Sequence, residues 1–125
     1  MNQHGEVQAI GGVNEKIEGF FDICMRLEPE QFHAVMIPRS NVKHLMLKEE
    51  VIKAVKAGSF AIHAVSTIDE GIALLTGVEA GEADAEGNYP PESVNGRVVA
   101  QLERFTQKAL ELRRAGRKEE EEEKE

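Results

Sequence analysis

Glycine and proline divide the first seventy-seven residues into short pieces that alternate in hydrophobic period, and this punctuation limits the fold more than any single motif. "EVQAI" alternates polar and apolar residues and stops at Gly11-Gly12, so Glu6 to Ile10 is a predicted strand entering a tight turn. An amphipathic helix follows from Val13. "HAVMIP" is a short apolar run closed by Pro38, as expected of a strand buried on both faces. Ser40 or Asn41 is placed to cap a short helix through Leu47, and "KEEVIKAVKAG" carries helical pattern to a stop at Gly58. "SFAIHAVS" then reads as a third strand. In "TIDEGIALLTG", Thr67 and Glu70 have capping-box spacing ahead of a helix ended by Gly77. Strand, helix, strand, helix, strand, helix is the order of an α/β layer with right-handed crossovers between parallel neighbours, in a single layered domain.

The pattern then changes. "VEAGEADAEGNYPPE", from Val78 to Glu92, lacks apolar periodicity and ends in a proline pair, so it reads as a loop. Ser93 is placed to cap a long last helix in which Val94, Val98, Leu102, Phe105, Ala109 and Leu112 form one stripe, ending near Gly116. The stripe is expected to pack on the domain's own sheet, with a contact between subunits as the alternative. Residues 1–115 therefore form the folded part, and 116–125, with six Glu against Arg117, Lys118 and Lys124, an acidic and disordered tail.

Bulk properties exclude several functions. A chain of 125 residues buries roughly 65 to 70% of its unfolded surface and can hold a real core. The formal net charge of -8 disfavours nucleic-acid and anionic-membrane surfaces, which want clustered Lys and Arg. No apolar run exceeds four residues, too short for a membrane span or a signal peptide. The single cysteine, Cys24, has no internal partner for a disulfide, which favours a reducing, cytoplasmic setting. His4, His33, His44 and His63 show no metal-ligand spacing with a carboxylate or with Cys24, so no metal site is expected.

One residue breaks the pattern of the first helix. At about 100° per residue, Val13, Ile17, Phe20, Phe21, Ile23, Cys24 and Leu27 share an apolar arc, with Glu15, Glu18, Asp22 and Arg26 opposite. Lys16 falls inside the arc, between Ile23 and Leu27. A desolvated lysine has a depressed pKa, and its neutral amine is a general base able to take the proton of a serine hydroxyl. The alternative is a stem packed on apolar neighbours with its head in water. "GGVNEK" lacks the spacing of a phosphate-binding loop, because no Ser or Thr follows Lys16.

"GEVQAIGGVNEKIEGFFD" resembles the segment around the catalytic lysine of Lon-type ATP-dependent peptidases, in which the lysine lies four residues beyond the second glycine, as Lys16 does beyond Gly12. "VMIPRSNVKHL" and "FAIHAVSTIDEGIALLTG" resemble the segments that follow in that domain, so the likeness covers roughly residues 5–77. The wording of "NQHGEVQAIGGVNEKIEGFFDIC" and "YPPESVNGRVVAQL" resembles the LonB-like bacterial branch more than the long-form enzymes.

The resemblance implies a partial proteolytic domain over residues 1–115, its lysine half, with Lys16 as the general base of a Ser-Lys dyad. It also implies polypeptide substrates, hexameric assembly, and an ATPase module using ATP and Mg elsewhere in the full protein; no cofactor is expected on this segment. The family's serine motif lies upstream of the lysine and is not in this sequence. Ser40, Ser59, Ser66 and Ser93 fall at expected caps and edges. The segment alone is therefore expected to be inactive. A second expectation is a non-catalytic α/β module that retains the ring-forming surface.

Overall fold

The computed structural model describes the backbone of residues 1–122 and the side chains of 1–114 and 116. The chain divides into two compact units, with the boundary between Leu75 and Thr76. The first contains α1 (Val13–Leu27), β1 (His33–Pro38), a 3-10 helix (Arg39–His44), α2 (Glu49–Ala57), β2 (Phe60–Val65) and α3 (Ile68–Thr76). Its architecture is α/β, as the alternating punctuation implies.

β1 and β2 pair in parallel, from His33 opposite Phe60 to Pro38 opposite Val65, joined by a crossover that holds the 3-10 helix and α2. The core lies on one face of this pair. Val13, Ile17 and Phe21 of α1 and Val51 of α2 close over Ile37 and Phe60, and Val35, Ile62 and Ala64 pack against them. Phe60, Ile17 and Val51 are the largest fully buried side chains. The Phe21 ring stands edge-on to Phe60 at 5.3 Å, a favourable arrangement for aromatic quadrupoles.

The opposite face is thinly covered. A Cβ on Gly71 of α3 would stand 3.3 Å from the tip of Met36, so a small residue lets that helix approach the sheet. Met36 and Ala34 are nevertheless exposed, so β1 is buried on one face, not on both as its apolar run suggests.

The N-terminal segment departs further from expectation. Residues 6–10 are not a strand; only Glu6 bridges Thr67, antiparallel, with Val7 N–H donating to the Ser66 carbonyl at 2.8 Å. Pairing stops there because Ile10 binds a side chain instead, as described below. The stretch after Pro38 is a 3-10 helix without a side-chain cap, so neither Ser40 nor Asn41 caps it.

Other termini match the sequence. Gly58 ends α2 at φ 77°, with bonds back to Ala54 and Val55 that satisfy the last carbonyls. Gly77 follows α3 at φ 68°. Thr67 Oγ1 accepts from Glu70 N–H at 3.2 Å, while the Glu70 carboxylate accepts from Ser66 N–H at 2.8 Å, a capping box displaced by one residue.

In the second unit Ala80 and Ser93 are the buried residues among those described. Ser93 Oγ accepts from Gly96 N–H at 3.1 Å, the bond of an N-cap, and donates to the Pro90 carbonyl at 2.7 Å. Val78 to Glu92 carries no helix or strand, as expected. The long helix α4 (Val94–Glu122) continues past Gly116 on residues of high helix propensity. Its stripe residues Val98, Leu102, Phe105 and Leu112 are exposed. Tail positions 123–125 lie outside the described residues.

Candidate functional site around Lys16

Lys16 sits on the first turn of α1, and the turn before it depends on one glycine of the pair. Gly12 occupies the left-handed region, at φ 65° and ψ 34°, and its carbonyl accepts the first helical bond from Lys16 N–H at 3.1 Å. A side chain at Gly12 would be strained. Gly11 does not take a left-handed conformation, and a Cβ there would meet nothing within 4 Å.

The apolar arc of α1 splits into two halves. Val13, Ile17, Phe21 and Cys24 are buried on the sheet side. Phe20, Ile23 and Leu27 are exposed, at 41, 57 and 74%. Lys16 belongs to this second half and is exposed as well. The angular placement read from the sequence holds, and among the described residues of the first unit no cleft covers the lysine. Among the described residues Lys16 makes no ion pair.

The opposite, polar side of α1 is tied to the crossover. Lys48 N–H, at the start of α2, donates to Glu18 Oε1 at 2.8 Å, and the Lys48 ammonium lies 3.7 Å from Glu18 and 3.6 Å from Asp22. Two asparagines add reciprocal bonds. Asn41, 3% exposed, accepts from Ile10 N–H and donates to the Ile10 carbonyl, each at 2.9 Å. Asn14 accepts from Met46 N–H at 2.8 Å and donates to the His44 carbonyl at 3.1 Å. Sequence reasoning missed both roles. Asn41 was legible only as a local cap, whereas its partner is 31 residues away.

Three serines, Ser59, Ser66 and Ser93, bind within the fold through their hydroxyls. Ser66 Oγ accepts from Arg39 Nε at 2.9 Å, and Ser59 Oγ donates to the Ala54 carbonyl at 3.2 Å. Ser93 is the α4 cap already described. Arg39 also donates to the Ala64 carbonyl at 2.9 Å and lies 3.8 Å from Glu70, so the shallow cavity it lines with Ser40 and Thr67 presents a guanidinium already engaged. His33 Nε2 is 2.8 Å from the Glu28 carbonyl. Cys24 is buried in the α1 interface. Among the described residues no group of three His, Cys, Asp or Glu side chains is placed to hold a metal, and no helix is long and apolar enough to cross a membrane.

An α/β segment with a lysine on a helix behind a left-handed glycine turn is thus the class of structure at hand. Comparison with known proteins then gives the relationship. The chain is 47% identical over 75 residues to an Escherichia coli (strain K12) protein named "Putative Lon protease homolog", which covers 60% of this chain and 13% of that protein. It is 35% identical over 103 residues to a Haemophilus influenzae (strain Rd) protein of the same name, covering 82% of this chain and 17% of the relative. No family model matches. The likeness to Lon-type proteases read from the lysine-helix motif is thereby shown, and this chain spans less than a fifth of the length of these relatives.

Proposed function

We propose that this segment is the lysine half of the proteolytic domain of a cytoplasmic, ATP-dependent serine endopeptidase, with Lys16 as its general base. The observation that carries the reading is the uncovered flank of α1: Phe20, Ile23 and Leu27 stand exposed around Lys16 while the rest of the apolar arc is buried. An exposed apolar patch of this kind marks a contact surface. In the full protein the serine-bearing part of the domain covers this flank and brings its hydroxyl within reach of the amine.

The chemistry then follows. The Lys16 amine accepts the serine hydroxyl proton as the serine oxygen attacks the substrate carbonyl carbon, and the ammonium returns that proton to the leaving amine as the C–N bond breaks. Water, deprotonated by the same amine, hydrolyses the resulting acyl-enzyme and restores the serine. Hexameric assembly around polypeptide substrates, driven by an ATP- and Mg-using module, completes the reading by analogy with the family.

The test is Lys16→Ala in the full-length protein. Peptide cleavage is expected to fall by on the order of 10²–10⁴-fold, the usual scale for a lost general base, with ATP hydrolysis retained. Cleavage at the unmutated rate overturns the reading and leaves the segment as a non-catalytic module.

A further inference from the structure

We propose that Asn41 and Asn14 are positioning residues that set the placement of Lys16; the proposal rests on the reading of Lys16 as a general base. The two amides act on either side of the glycine turn. Asn41 exchanges two hydrogen bonds with the peptide groups of Ile10, immediately before Gly11. Asn14, two residues before Lys16, exchanges two with the chain at His44 and Met46. Both sets of bonds lead to one element, the 3-10 helix Arg39–His44 and the residues leaving it.

The glycine turn has little else to brace it. A Cβ on Gly11 would find open space, and one on Gly12 would meet only the Glu15 carboxylate at 3.6 Å. Gly12 offers no side chain to cap α1. Val13 and Ile17 seat α1 on the core, and the four amide bonds, 2.8 to 3.1 Å long, add a directional tie on either side of the turn itself.

Only a carboxamide suits this task. It carries a donor and an acceptor on one planar group, matching the N–H and C=O of a peptide, whereas a carboxylate accepts only. The buried Asn41 has both its polar atoms satisfied in this way. A rotation of α1 by about 10° moves a side chain ~5–6 Å from the helix axis through about 1 Å. An error of that size is worth on the order of a hundredfold in rate.

The experiment uses Asn14→Asp and Asn41→Ala in the full-length protein, the half-buried Asn14 serving where the deeper Asn41 fails to fold. The expected result is a kcat about ten- to a hundredfold lower with KM unchanged. A second measurement uses Lys16→Ala with methylamine added to restore a measurable rate. A free amine is not held by α1, so Asn14→Asp is expected to cause no further loss in that background. Equal loss with and without Lys16, or a normal kcat where Lys16→Ala is inactive, overturns the positioning role while leaving the base intact. Active Lys16→Ala instead overturns the base, and the positioning role with it. In the 125-residue chain itself, Asn14→Asp is expected to speed exchange of the Lys16 amide about tenfold and leave β2 unchanged; a uniform rise across the sheet also overturns the proposal.

Discussion

The division of α1 into a covered and an uncovered apolar half is open to a direct energetic test with Ile17→Ala and Ile23→Ala. The two positions carry the same side chain on the same helix. Ile17 is 1% exposed and Ile23 57%. Truncating Ile17 removes three carbon atoms from the contact with Phe21, Val51 and Phe60, a transfer loss of about 2.4 kcal/mol at roughly 0.8 kcal/mol for each. A partly relaxed cavity brings the total to about 3–4 kcal/mol. Truncating Ile23 removes little contact and slightly raises helix propensity, so the change stays within about 0.5 kcal/mol.

Urea unfolding followed by circular dichroism reads the difference as a shift in midpoint at constant slope. Because a small domain has only about 5–15 kcal/mol in hand, Ile17→Val, expected to cost roughly 0.5–1.5 kcal/mol, keeps the comparison measurable if the alanine variant is largely unfolded. Equal costs at Ile17 and Ile23 would refute the assignment. The Lys16 flank would then be covered in solution, and a concentration-dependent midpoint would identify a second copy as the cover.

Two further outcomes follow from the backbone and the charges. Gly12→Ala forces a Cβ into the left-handed region and is expected to lower stability by about 1 kcal/mol. Gly11→Ala, in open space, is expected to raise it by about 0.4–1 kcal/mol, and urea midpoints for the pair check the opposite signs. Asp84 accepts backbone N–H bonds from Asn88 and Glu86, which hold its carboxyl below the usual carboxylate range. Its folded-state pKa thus lies below the unfolded one, so its contribution is present above the unfolded value and lost as pH falls through the folded one. Amide shifts of Glu86 and Asn88, followed by NMR in acid, are expected to report that transition, and Asp84→Asn to remove it.

Local signals carried most of the first unit. β1 and β2 announce themselves as short apolar runs, and Gly58, Gly77 and the Thr67-Glu70 pair mark helix ends through bonds made within a few residues. What local pattern does not state is the partner. Glu6–Ile10 has strand periodicity, but its backbone meets Ser66 and the Asn41 amide instead of a strand. The apolar run of β1 implies two covered faces, and the chain supplies one, with Met36 and Ala34 left exposed. The same reason explains α4, whose stripe is visible in the sequence although its cover is not.

Lys16 itself was placed correctly by angle. Among the described residues it stands exposed beside Phe20, Ile23 and Leu27.

The crossover between β1 and β2 has a kinetic consequence. α1 can form early from local bonds, but the sheet it packs on closes only after the chain from Pro38 to Phe60 has looped back, and that search slows folding. Asn41 lies inside the same loop. The bonds that fasten the glycine turn therefore span 31 residues and wait on chain that follows the helix they brace.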